Sequence, residues 1–185
     1  MADRAHHVLT ELLVLRAQGG YDDAIGLLVR AWQDRLLRHA RRLIGRDDAA
    51  RDVLQEAWLD IARGLRSLDD PASFAPWAYR IVARRSAKWI GKEQRRRQVE
   101  RAAAVEHSAA CVVPAATSAV ETADAVRVAL RQLPVDQQAI LELRYVEDFS
   151  IEQIAEALEI AAGTVKSRLF HARQQLRDLI TQVTQ

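Results

Sequence analysis

The chain of 185 residues contains one cysteine, seven glycines and four prolines. A lone cysteine, Cys111, excludes an internal disulfide and a cysteine-rich metal site, and it suits a reduced cytoplasm. So few turn-forming residues argue against an all-β chain, which needs turn signals roughly every 8–12 residues. No apolar run approaches the roughly 18 residues of a membrane span, and the opening residues lack a signal-peptide layout. Membrane insertion is therefore not expected. His6 and His7 have no Asp or Cys cluster beside them, and Cys111 has no nearby base. These absences predict no metal site, no cofactor and no enzymatic centre. What the chain has in quantity is apolar residues, 49%, and charge, 28%, a globular rather than a disordered composition.

The net charge of +2 hides an uneven distribution. Residues 1–101 hold 20 basic and 14 acidic side chains, and residues 123–185 hold seven basic and nine acidic. Between them, residues 102–122 have no basic residue and two acids, Glu106 and Glu121. From Arg80 to Arg101 there are nine cations against Glu93 and Glu100. Such a run is either a solvated helix face or a polyanion-binding surface, and charge alone leaves both open.

Apolar residues recur with helical period throughout, and no alternating strand pattern appears. Val8, Leu9, Leu12, Leu13 and Leu15 suggest a first helix, stopped by Gly19-Gly20. A second runs from about Asp22 to Ile44 with Gly45 as its C-cap. Ala49, Val53, Leu54, Ala57, Trp58, Ile61, Ala62 and Leu65 form the stripe of a third, with Asp47 and Asp48 at its N-terminus. Asp69-Asp70-Pro71 marks a turn, and Ser73 is a candidate N-cap for the helix that carries Trp77, Ile81 and Trp89 into the basic run. Trp32 and Trp58 are expected in the core, whereas Trp77 and Tyr79 stay open. The Ala/Val/Ser/Thr-rich stretch 102–122, with Pro114, reads as a linker. Helices resume at about 123–132, 135–147, 150–158 and 164–180. The expected fold is all-α: two small helical domains, 1–101 and 123–185, joined by a flexible linker.

The second domain ends in a helix-turn-helix pattern. Ser150 and Gln153 match a capping box, and Ile160 to Gly163 break the chain before Thr164. Glu159 falls near a left-handed turn position that glycine would fill more easily. In the last helix, Val165, Leu169 and Leu176 are expected inward. Lys166, Ser167, Arg168, His171 and Arg173 remain for the outside, with types suited to phosphates and base edges of a major groove. The bland alternative is a helical hairpin with a basic solvent face.

Three segments in this order then carry a resemblance: Asp52 to Trp58, Phe74 to Ile81, and Leu133-Pro134 followed by Tyr145 through Leu169. Together they resemble a bacterial extracytoplasmic-function (ECF) RNA polymerase sigma factor of the sigma-70 family, over residues 20–100 and 123–181. The resemblance implies a specificity subunit, not an enzyme, acting in the cytoplasm. It implies that Arg51, Asp52, Gln55 and Glu56 face the clamp helices of the largest subunit of core RNA polymerase. The flap region of the second-largest subunit is a further implied partner. The loop Asp69, Asp70, Ser73, Phe74 and the helix with Trp77, Tyr79, Arg80, Arg84, Arg85 and Lys88 would hold the melted minus-ten element of promoter DNA. Ser150, Thr164, Lys166, Ser167, Arg168, His171 and Arg173 would read the minus-thirty-five duplex. An anti-sigma factor or another regulator is an additional candidate partner.

Two positions depart from the family pattern. Arg51 stands where an acid usually precedes the aspartate, and Arg84 stands where Asn is frequent. The main rival reading is a stand-alone helix-turn-helix repressor or activator, but no obvious dimerisation helix is present and the basic run would lack a role. A purely structural helical adaptor is the second rival and leaves both basic surfaces unexplained.

Overall fold

A computed structural model describes residues 2–103 and 122–183. Most of the linker, with Cys111 and Pro114, lies outside the described residues. Among those described there are eight α-helices, two short 3-10 turns and no strand.

The first four helices are α1 (Ala2–Gln18), α2 (Asp22–Ile44), α3 (Asp47–Gly64) and α4 (Phe74–Ala103). The second four are α5 (Thr122–Gln132), α6 (Val135–Tyr145), α7 (Ile151–Leu158) and α8 (Ala162–Val183). The local signals act as expected at several ends. Gly45 adopts φ 72° and closes α2 by donating its N–H to the Arg41 carbonyl, a left-handed cap that costs glycine least. The Ser150/Gln153 capping box forms in both directions, satisfying two amides at the start of α7. Glu159 does take the left-handed conformation, φ 53°, at the turn between α7 and α8.

Two local expectations are corrected. Ser73 does not cap α4: it lies inside the turn Pro71–Ser73, and its hydroxyl donates to Asp70 Oδ2 at 3.0 Å. Asp70 is the capping residue there, accepting from Ala72 N. Gly163 is not part of the break, because α8 already starts at Ala162. The first-turn amides of a helix have no intrahelical partner, so a glycine there disturbs little.

α2 is the centre of the molecule. Leu28, Trp32 and Leu36 are fully buried on it, and it touches α1, α3, α4 and α6. Trp32 donates its indole N–H to Thr10 Oγ1 at 3.0 Å, and its ring meets Phe74 at 5.7 Å. At the far end of α3, a Cβ on Gly64 would sit 2.9 Å from the Trp77 ring, so any larger residue there would force the ring to shift.

The two four-helix groups do not stand apart. α7 lies along α4, α6 lies against α2, and buried residues from Leu13 to Ala172 form one continuous core. The interface is polar at its middle. Glu142 and Glu147 keep only 2% and 1% side-chain exposure. Glu142 Oε2 meets His39 Nδ1 at 3.2 Å and also pairs with Arg42, while Glu147 Oε2 accepts from Arg35 at 3.2 Å. Phe149 covers Tyr79, ring to ring at 5.4 Å. At the rim, Arg80 and Arg84 each approach an acid of the second group, Glu156 and Glu159, at 3.9 Å.

Removing one partner of a buried charge pair leaves the other uncompensated, at a cost of about 3–5 kcal/mol. Arg42 keeps 30% exposure, so the loss for Glu142→Ala falls below that range. This substitution should loosen the interface, and small-angle scattering should report a larger radius of gyration than for the wild type. Burial pushes the Glu147 carboxyl above its ordinary range, against the pull of Arg35 and Arg38, with Tyr79 and Glu142 also facing it. A raised carboxyl stabilises the packed form fully at low pH, and this contribution is lost as pH rises through the raised value. Thermal midpoints of Glu147→Gln should therefore gain on the wild type as pH rises from about 4 to 7; a constant gap would contradict this.

Candidate polymerase and nucleic-acid interface

On α3 the buried stripe Val53, Leu54, Ala57, Ile61 leaves the opposite face to solvent, and Arg51, Asp52, Gln55 and Glu56 are all exposed on it. Arg51 does not stand as an isolated cation: Asp47, one turn earlier, pairs with it at 2.8 Å and also with Arg41. At the same end Asp48 binds Arg46 at 2.7 Å, and that hydrogen bond holds its carboxyl below the usual range. A cleft of about 530 Å³ between α2 and α3 is lined by Leu37, Arg51, Gln55 and Trp58. Trp58 is only half buried, and its indole nitrogen finds no hydrogen-bond partner in the structure. Its ring packs against the core, as expected from the sequence, from the edge of the cleft. The periodicity that put it on the inner stripe could not show that its ring reaches the cleft.

The helix α4 carries the basic run. Arg84, Lys88 and Lys92 are exposed, and Arg80 and Arg85 half-buried. Arg85 is tied back to α3, with Nε to Asp60 Oδ2 at 2.5 Å and Nη1 to Glu56 Oε2 at 2.8 Å. The Asp60 hydrogen bond comes first among the causes that raise its pKa. Arg85 therefore acts first as a strut between the two helices. A cleft of about 420 Å³ beside it is lined by Asp60, Ile81, Arg84, Arg85 and Lys88.

Of the loop residues, Asp69 and Asp70 are exposed, Ser73 and Trp77 half-buried. Phe74 and Tyr79 are fully buried, which corrects their expectation as DNA contacts in this arrangement. The two cases differ in cause. Phe74 is packed against Trp32 inside the first bundle. Tyr79 is covered from outside by Phe149 and lies against His39, and burial pushes its phenol well above the ordinary range, helped by the charge of Glu147. Separation of the bundles would uncover Tyr79 but not Phe74.

In the helix-turn-helix, Thr164, Lys166, Ser167, His171 and Arg173 are exposed, opposite the buried Val165, Leu169 and Ala172. Arg168 is half-buried and 4.0 Å from Asp136 of α6. Ser150 is committed to the cap of α7, its hydroxyl accepting from Gln153 N and donating to Glu152. Arg173 also lines a groove of about 480 Å³ between α5, α6 and α8, whose walls include Val126, Leu130, Leu141 and Leu176. Sequence reasoning assigned nothing to that groove, because four separate helices contribute to it, Arg42 of α2 among them.

Comparison with known proteins gives the arrangement its context. Residues 28–96 match the family model for sigma-70 region 2, and residues 123–176 match that for sigma-70, region 4. The chain is 36% identical over 159 residues to the ECF RNA polymerase sigma factor SigM of Mycobacterium tuberculosis, covering 85% of this chain and 77% of that protein. It is 28% identical to the ECF RNA polymerase sigma-E factor of Haemophilus influenzae, covering 95% and 97%. Its fold is similar to that of the sigma factor RpoE from Bartonella quintana, solved with the anti-sigma factor NepR. That match has a TM-score of 0.60 and 24% identity over 83% of this chain and 94% of that one. CnrH, solved with the cytosolic domain of CnrY, gives 0.63 and 20% over 94% and 97%. The chain therefore belongs to the sigma-70 family, as a sigma factor of the ECF group that supports promoter-specific transcription initiation.

Proposed function

We propose a division of labour along the chain: residues 1–101 dock on core RNA polymerase and hold the minus-ten element, 102–122 are the tether, and 123–185 read the minus-thirty-five duplex. The observation that carries this is the pairing of two exposed faces on one rigid bundle. The polar face of α3 and the basic face of α4 are fastened together by Arg85 to Glu56 and Asp60. Arg51, Asp52, Gln55 and Glu56 meet the clamp helices of the largest subunit, with Asp47 moderating the charge of Arg51. Arg80, Arg84, Lys88 and the rim Asp69–Asp70 take the melted strand, since unstacked bases need a cationic track beside a shaped loop. Thr164, Lys166, Ser167, His171 and Arg173 face the upstream major groove. The apolar groove between α5, α6 and α8 suits an amphipathic helix of the flap region of the second-largest subunit. The polymerase performs the chemistry and this chain supplies specificity, in the cytoplasm where both partners reside. Among the described residues no helix is long and apolar enough to cross a membrane.

Two elements separated by two turns of DNA lie about 70 Å apart along the axis. A linker of about 21 residues spans at most ~70 Å when extended. Engaging both elements therefore requires α7 to leave α4, and the ion pairs Arg80–Glu156 and Arg84–Glu159 to be exchanged for phosphate contacts. RpoE and CnrH were each solved with a partner, for RpoE an anti-sigma factor, which supports a regulator of that kind acting on this chain.

Run-off transcription with purified core polymerase distinguishes this reading from a stand-alone repressor or activator. The chain should programme the core to start at defined promoters; a factor that binds duplex DNA alone yet leaves the core unprogrammed would refute the assignment. Within the second bundle, Lys166→Ala should weaken upstream-element binding by the holoenzyme and lower the salt slope by about one. An unchanged slope would remove Lys166 from the phosphate contacts.

A further inference from the structure

We infer that Gln18, at the end of α1, is a positioning residue for promoter recognition: it holds the loop between α3 and α4 in the shape that receives a base. The inference rests on the reading of that loop as the minus-ten surface.

The geometry is specific. The side-chain amide of Gln18 donates to the Leu65 carbonyl at 3.0 Å and to the Leu68 carbonyl at 2.7 Å, residues 47 and 50 positions further along the chain. Both donors of one amide are thus spent on the two carbonyls that bracket Arg66 and Ser67. Asp69 and Asp70, the exposed rim of the loop, follow directly on Leu68. From the other side the loop is closed by its own contacts: Ser67 Oγ to the Gly64 carbonyl at 2.8 Å, and Ala72 N and Ser73 Oγ to the Asp70 carboxylate, each at 3.0 Å. Leu65 and Leu68 pack on the core, and Gln18 adds the side-chain hydrogen bonds from outside to a segment whose other side-chain hydrogen bonds are internal.

The helix that carries Gln18 is itself fixed. Leu13, Val14 and Ala17 are buried, and the ring of His6 meets Trp32 at 4.9 Å. Trp32 in turn contacts Phe74, the residue on which the loop ends. The two ends of the segment are thus held from two helices packed on each other, by Gln18 of α1 at Leu65–Leu68 and by Trp32 of α2 at Phe74. A loop ordered in advance need not lose its freedom on binding, and that saving appears as affinity and as discrimination between correct and incorrect bases.

The test separates the hydrogen-bonding role from mere packing. Gln18→Glu keeps the shape and removes both donors, Gln18→Met removes all polarity, and Gln18→Lys restores a donor. Holoenzyme reconstituted from the full chain is titrated with the labelled nontemplate strand of a promoter that the wild type transcribes. The same strand with an abasic site at each minus-ten position in turn serves as the comparison. The expected result is a roughly tenfold loss of the wild-type preference for the intact strand in Gln18→Glu and Gln18→Met, the scale of two lost hydrogen bonds. Gln18→Lys should recover most of it, with core-polymerase recovery that of the wild type and any fall in thermal midpoint confined to the Glu and Met variants. Amide exchange at residues 68–73 of the free protein is measured alongside and should quicken in Glu and Met variants. Quickened exchange with an unchanged strand preference overturns the proposal, as does loss of preference in all three variants together with a lower thermal midpoint. If the wild type itself shows no preference for any intact base, the assignment of the loop to minus-ten recognition fails, although quickened exchange would still establish the brace.

Discussion

The structure depends on what becomes of two carboxylates. α6 carries Glu142 into the middle of the molecule and Glu147 follows just beyond its end, and both are stripped of water there. Neither could remain charged and dry without the cations that α2 presents, Arg35 and Arg42, with His39 beside them. Apolar packing of α7 on α4 and of Phe149 on Tyr79 provides the adhesion. The charges determine which surfaces may meet and in what register. An interface of this composition differs from a purely greasy one in its alternatives. Once parted, every charged group in it regains hydration, so the separated form is not penalised by exposed charge. That property suits the proposed separation of the two bundles on promoter DNA.

The local elements were largely legible in the sequence, and the reasons are local too. The bounds of α2, its glycine cap, the capping box at Ser150 and the left-handed Glu159 all follow from backbone requirements within a few residues. The all-helical class follows from period and from scarce turn residues. What periodicity does not give is the partner of an apolar face. Tyr79 sits on the face of α4 that Phe149 covers, 70 residues later, and no spacing rule connects them. Phe74 shows a milder failure. As a large aromatic among small residues it was a good candidate for burial, and its place in a functional motif concealed that.

At the candidate site, the exposure of residues was more legible than their geometry. The exposed positions of α3 and α8 lie where helical phase put them. The ion pairs that join those positions to the rest of the fold were not visible, because a cation counted in a basic run looks the same whether it is solvated or, like Arg85, bound between two carboxylates. Net charge overstated the cationic track for that reason. Arg80 and Arg84 have acidic neighbours on the second bundle, so the positive field of α4 grows when that bundle withdraws, whereas Arg85 keeps its partners on α3.

The missing side chain of Gly64 has a mechanical meaning. Because Trp77 seats itself where a Cβ would be, the end of α3 and the start of α4 have no slack between them. Interiors at this packing density transmit displacement and do not absorb it. A displacement imposed on one helix is therefore passed directly to the other. The absence of one methyl group thus couples the start of α4 to the end of α3.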